Sequence, residues 1–142
     1  MAHDLKQLSR DWFEAIWNQG DASAIERFLA PKATLNDSSH EAGPVNDSAT
    51  LARQVRDLRV ALPDLHIEID DMIEEGNQVL ARCTVTGTHT GPGLGMEPTG
   101  KSVSITGMAL GRYEDGKVVQ GWNNFDLLGL YEQLGVFKRP GT

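Results

Sequence analysis

The chain has 142 residues and a formal net charge of −7, with hydrophobic residues at 39% and charged residues at 23%. That balance is globular; the length suits one domain with a real core and is too short for two, so residues 1–142 are expected to form a single unit. The acidic surface repels phosphate, which excludes nucleic acid and anionic membrane as partners. No apolar run approaches the roughly 20 residues that span a bilayer. No basic stretch followed by an apolar block opens the chain, and the single cysteine, Cys83, has no partner for a disulfide, so the cytoplasm is the expected compartment.

Leu5, Leu8, Trp12, Ala15 and Ile16 recur at helical spacing, which predicts an amphipathic helix from about Asp4 to Trp17. Asn18-Gln19-Gly20-Asp21 stops it and starts a second helix, which carries Ile25, Phe28 and Leu29 and ends before Pro31. Ala33 to Asn36 is at most a short strand, and Asp37 to Ser48 reads as a polar loop. A third helix is predicted from Ala49 to Ala61, with Leu51, Val55, Leu58 and Leu62 inward and Pro63 ending it.

After Pro63 the hydrophobic period changes from 3.6 to 2. Leu65, Ile67, Ile69 and Ile73 mark one strand; Val79, Ala81, Cys83 and Val85 mark the next, which runs to about Thr90. Val103, Ile105, Gly107 and Ala109 form one face of a long strand, and Val118 to Phe125 is the last. Glu75-Gly76-Asn77 and Glu114-Asp115-Gly116-Lys117 supply hairpin turns. Leu127, Leu128, Leu130, Tyr131 and Leu134 suggest a short closing helix. Helices first and antiparallel strands last argue an α+β fold, with three N-terminal helices packed on a curved antiparallel sheet.

Gly95 to Ser102 fits the phosphate-loop pattern G-x-x-x-x-G-K-[ST], but that motif must open a helix whose N–H groups hold the phosphates, and here Val103-Ser104-Ile105-Thr106 continues as a strand. The loop therefore reads as a glycine-rich connection. The four histidines, His3, His40, His66 and His89, show no ligand spacing, so no metal is expected. Cys83, mid-strand among apolar residues, reads as a small core residue.

Gly121-Trp122-Asn123-Asn124-Phe125-Asp126 is the stretch that looks like chemistry. On an unbulged strand Trp122, Asn124 and Asp126 share a face, giving an indole, an amide and a carboxylate on one pocket wall. A carboxylate among apolar neighbours has its anion disfavoured, which suits a general base near neutral pH. Asp126 also stands where an aspartate caps a helix, and both readings remain open on spacing alone. His89 is either at the pocket mouth or a solvated loop residue. Trp12 on the first helix reads as core that also lines a cavity.

Gly87-Thr88-His89-Thr90-Gly91, Gly95 to Lys101, Arg112, Asp115-Gly116-Lys117-Val118, Trp122, Asp126 and Gln133-Leu134-Gly135 together resemble the SnoaL-like polyketide cyclases of the nuclear transport factor 2-like superfamily. Trp17 to Asp21, Leu29-Ala30-Pro31, Gly43-Pro44 and Pro63-Asp64-Leu65 agree more loosely. The resemblance implies a cone-shaped α+β barrel with its pocket between helices and sheet. It also implies cofactor-free aldol closure of a polyketide ester, with Asp126 taking a proton from a carbon between two carbonyls. On this reading Asp126 faces a cavity lined by Trp122, Asn124 and Ile105, with Trp12 beside it and Asn36 and His89 near the rim. Known cyclases carry polar side chains on the inner face of the penultimate strand, where this chain has Gly107 and Ala109. The alternative is a protein of the same fold that binds a small molecule without turning it over. Thr106, Met108 and Leu110 on the opposite face suggest a homodimer through the outer sheet surface, an arrangement the resemblance also implies.

Overall fold

The computed structural model describes residues 3–36 and 44–141. Helix α1 (Leu5–Trp12) is capped by Asp4, whose carboxylate accepts from the Gln7 N–H at 3.1 Å. It continues as a π-helical segment over Phe13–Asn18. Asp21 caps a single 3₁₀ turn (Ala22–Ala24) that leads into the short α2 (Ile25–Phe28). Strand β1 (Leu29–Asn36) follows, then α3 (Ser48–Ala61), capped by Asp47 on the Thr50 N–H at 2.7 Å. Strands β2 (His66–Glu75), β3 (Gln78–Thr88), β4 (Ser102–Glu114) and β5 (Lys117–Phe125) come next, and α4 (Leu127–Gln133) closes the chain. No described helix is long and apolar enough to cross a membrane.

The sheet order is β1-β5-β4-β3-β2. Strands β2 to β5 form the expected antiparallel meander, and β1 adds to it in parallel alongside β5. Leu29 is thus the first residue of a strand, where the sequence predicts helix, and β1 runs for eight residues through Pro31. An edge strand tolerates that proline because half of its N–H groups have no neighbour to bond. The polar loop expected at 37–48 lies outside the described residues as far as Gly43. Beyond it, Val45 exchanges backbone hydrogen bonds of 2.9 and 2.8 Å with Leu35.

Two irregularities decide which side chains face the helices. In β2 the register slips between Ile69 and Asp71, so Met72 is buried and Ile73 is 62% exposed, the reverse of the simple alternation. In β5 it slips at Val119, because Arg112 pairs with Gln120 while Tyr113 pairs with Val118. One extra residue in a strand flips every side chain beyond it. The core lies between the inner sheet face and the helices, and includes Phe13, Ile16, Leu51, Val55, Ile67, Val79, Val103 and Ile105. The loop at Gly95 to Lys101 leads directly into β4, not into a helix.

Candidate functional site

Between α1, α3, α4 and the inner sheet face lies a cavity of about 330 Å³. Its floor is β4, paired with β3 from Gln78↔Arg112 to Thr88↔Ser102 without a slip, so its odd-numbered residues all face inward. Between the large side chains Ile105 and Tyr113 that face carries only Gly107, Ala109 and Gly111, and Gly111 pairs with Gly121 of β5. Four residues with one methyl group among them leave room for the side chains that pack over them. A Cβ at Gly107 would overlap the Phe125 ring, and one at Gly121 would lie 2.9 Å from Leu35 Cδ2. These positions are bare because neighbouring side chains rest on the backbone itself.

The helical wall depends on the π-helical segment. Trp12 and Trp17 both line the cavity, although five residues of α-helix would turn them about 140° apart. The wider winding, in which the N–H of residue i+5 meets the carbonyl of residue i, brings both indoles to one side; the Gln19 N–H reaches Glu14 O in this way at 2.9 Å. The segment is tied down beyond the indoles. The Asn18 amide accepts from the Ile67 N–H at 2.6 Å and donates to Ile67 O at 3.0 Å, and Arg59 donates to Trp17 O at 3.0 Å.

Of the residues expected at the site, Trp12, Ile105, Asn36 and Trp122 line the cavity. Asn36 is half-buried and donates to Gly121 O at 3.1 Å, which joins β1 to β5 at this end. Trp122 pairs with Leu110 on the opposite parity from Gly111 and Gly121, yet both contribute to the wall.

Three expectations are corrected. Asn124 is exposed and outside the cavity, because the extra residue at Val119 places Asn123 on the inner face in its stead. Asp126 is also exposed and outside the cavity; its carboxylate caps α4, accepting from the Gly129 N–H at 2.8 Å. The cavity-facing residue at that end of β5 is Phe125. His89 is fully buried and away from the cavity. Its Nδ1 accepts from the Thr99 N–H at 3.3 Å, which leaves Nε2 to donate to Gly93 O at 3.3 Å. The imidazole thus pins the glycine-rich connection against the end of β3.

Several cavity residues were missed in the sequence: Ser9, Gln54, Tyr113, Asn123 and Tyr131. Tyr113 was within reach, since the period-2 face begun at Val103 arrives at 113 after ten residues. Ser9 shares the helical face of Leu5 and Trp12. Burial pushes the Tyr113 phenol above its ordinary range, and the neighbouring Ser9 hydroxyl draws it part of the way back. The described lining contains no Asp, Glu, His, Lys or Arg. Its polar groups are neutral hydroxyls, amides and indole N–H groups set in an apolar wall, the pattern of a site that holds an apolar molecule and orients it.

The model of the SnoaL-like polyketide cyclase family matches residues 7–134. The chain belongs to that family. No curated protein matches the chain. Among solved structures, AclR from Streptomyces galilaeus, provisionally named a hydroxylase, is 32% identical, with a TM-score of 0.82 over 96% of this chain and 87% of its own. TsrD from Streptomyces laurentii is 28% identical, with a TM-score of 0.81 over 96% of this chain and 99% of its own. IdmH from Streptomyces antibioticus, provisionally named a polyketide cyclase, is 26% identical, with a TM-score of 0.81 over 94% of this chain and all (100%) of its own. The nuclear transport factor 2-like fold implied by the sequence is the fold of these structures.

Proposed function

We propose that this chain takes an apolar, ring-bearing polyketide into the cavity and closes a further ring on it by intramolecular aldol reaction without a cofactor. The observation that carries this reading is a cavity of about 330 Å³ walled by Trp12, Trp17 and Trp122 in a chain of the cyclase family. With no carboxylate, imidazole, ammonium or guanidinium group in the described lining, the chemistry rests on orientation. A carbon between two carbonyls is readily enolised in water. When the enol is held against a ketone or aldehyde of the same molecule, its carbon attacks the carbonyl carbon. A C–C bond forms, the enol oxygen becomes a carbonyl again, and its proton passes to the new alkoxide. Atoms balance without an external base, and the cavity's part is to hold the substrate chain in the conformer that brings the enol carbon against the carbonyl carbon.

The same lining favours a second reading, in which the ligand is held and released unchanged. One experiment separates them. Fluorenone should quench the tryptophan emission on either reading. An aryl ketone bearing an ortho β-keto ester chain should be converted to a product of equal mass with one more ring on the first reading alone, as read by NMR. No quenching by fluorenone would sink both.

We further propose that the chain pairs with a second copy through its outer sheet face. Met108 is 48% exposed there, next to the cross-strand pair Leu80 and Leu110. Light scattering should give twice the chain mass, and Met108→Asp should lower it toward one chain.

A further inference from the structure

The cavity has a polar floor at one end that the family assignment does not account for. Ser9 of α1 and Tyr113 of β4 are 5% and 6% exposed, and both line the cavity. Gly111 makes room for the phenol: a Cβ there would lie 3.2 Å from Tyr113 Cε1 and 3.5 Å from its hydroxyl oxygen. The ring therefore lies along the bare stretch of β4. The Tyr113 backbone is fixed as well, its N–H donating to Asn77 O at 2.9 Å and its carbonyl accepting from the Asn77 side chain at 3.2 Å. The two hydroxyls neighbour each other, and neither engages any other described residue. Two hydroxyl groups carry two protons, and a bond between them uses only one. The other proton is left for an acceptor inside the cavity.

We propose that Ser9 and Tyr113 form a hydrogen-bond anchor for a carbonyl or phenolic oxygen at the inner end of a planar ring ligand. The next polar group on this face, Asn123, pairs with Ala109, two residues along β4 from Gly111, over which the Tyr113 hydroxyl lies, and so about 7 Å along the strand from it. That spacing suits a fused-ring molecule with one oxygen on the hydroxyl pair and a second polar group about two rings away, toward Asn123. The anchor holds a neutral acceptor and positions it; a carboxylate or phosphate would enter with no cation in the described lining to meet it. The inference rests on the cavity's being a small-molecule site, and the test keeps the two apart.

Fluorenone and fluorene have the same three-ring outline and differ in a carbonyl against a CH₂. Equilibrium dialysis of each against the whole chain, Tyr113→Phe and Ser9→Ala reads the anchor directly. The chain should bind fluorenone more tightly than fluorene after correction for their difference in water solubility. Tyr113→Phe should weaken fluorenone about three- to tenfold, the worth of one hydrogen bond, and leave fluorene unchanged. The carbonyl stretch of bound fluorenone should lie lower in frequency in the whole chain than in Tyr113→Phe. Ser9→Ala, a small change on a helix, provides the same comparison should the tyrosine variant fold poorly. Equal binding of both probes, or equal weakening of both by the substitutions, overturns the anchor and leaves the cavity reading in place. Failure of both probes to bind overturns the cavity reading and the anchor with it.

Discussion

Strands β4 and β5 lie side by side, share eight residue pairings and differ in one residue. β4 keeps a strict alternation over its length, so Val103, Ile105, Ala109, Gly111 and Tyr113 all belong to the cavity wall. β5 carries one extra residue at Val119, and beyond it the inner face passes to Gly121, Asn123 and Phe125. Alternation is a reliable guide to facing until a bulge intervenes, and nothing in Val118-Val119-Gln120 marks one. The more chemically suggestive strand of the two is therefore the one whose reactive-looking residues, Asn124 and Asp126, lie outside the cavity.

The largest effect should come from a charge on the inner face of β5 beyond the bulge. Phe125→Asp sets a carboxylate over Gly107 in the apolar wall, whereas Asn124→Asp leaves it on the exposed face. An unpaired charge in that wall should cost about 3–5 kcal/mol in a melt followed by circular dichroism, against a few tenths at 124. A Phe125→Asp variant that melts like the parent would break the comparison. Next in size is the contact that seats β5 on β4. Gly107→Ala forces a methyl group into the Phe125 ring and should cost about 1–3 kcal/mol in urea unfolding.

A smaller effect belongs to Asp126. As a cap, Asp126→Ala should lose about 1 kcal/mol of stability, and Asp126→Asn only a few tenths, since Asn caps as well as Asp. Turnover of a ring-closing substrate by Asp126→Asn should match the parent; a drop of roughly 10²- to 10⁴-fold, the worth of a general base, would restore the proton-abstraction role that the resemblance implies. Least of all should change at Cys83. Burial pushes its thiol up to about 11, so iodoacetamide at neutral pH should leave the folded chain unmodified and label it only after unfolding.

Much of the fold was legible because its signals are local. The change of period after Pro63, the hairpin turns and the helix break at Asn18 to Asp21 are written in a few neighbouring residues. What escaped is set by distant partners. Leu29 to Pro31 became strand because β5 offers an edge in parallel, and Ile73 turned outward because β2 slips against β3. At the site, Trp12, Ile105, Asn36 and Trp122 were found through apolar periodicity or family resemblance. Ser9 and Tyr113 were overlooked because an isolated hydroxyl on an otherwise apolar face announces nothing until the other element is placed against it. His89 looked like a loop residue for the converse reason. Its partners Gly93 and Thr99 lie within ten residues, but only the folded connection turns them onto the ring.

The facing of β5 can be read most directly by single cysteines at 123, 124 and 126, with buried Cys83 as a silent background. Each variant is labelled with a thiol reagent in the presence and absence of saturating fluorenone. Ligand should slow labelling at 123 and leave 124 and 126 unchanged. Protection at 124 or 126, with none at 123, would contradict the bulged register and return Asp126 to the cavity.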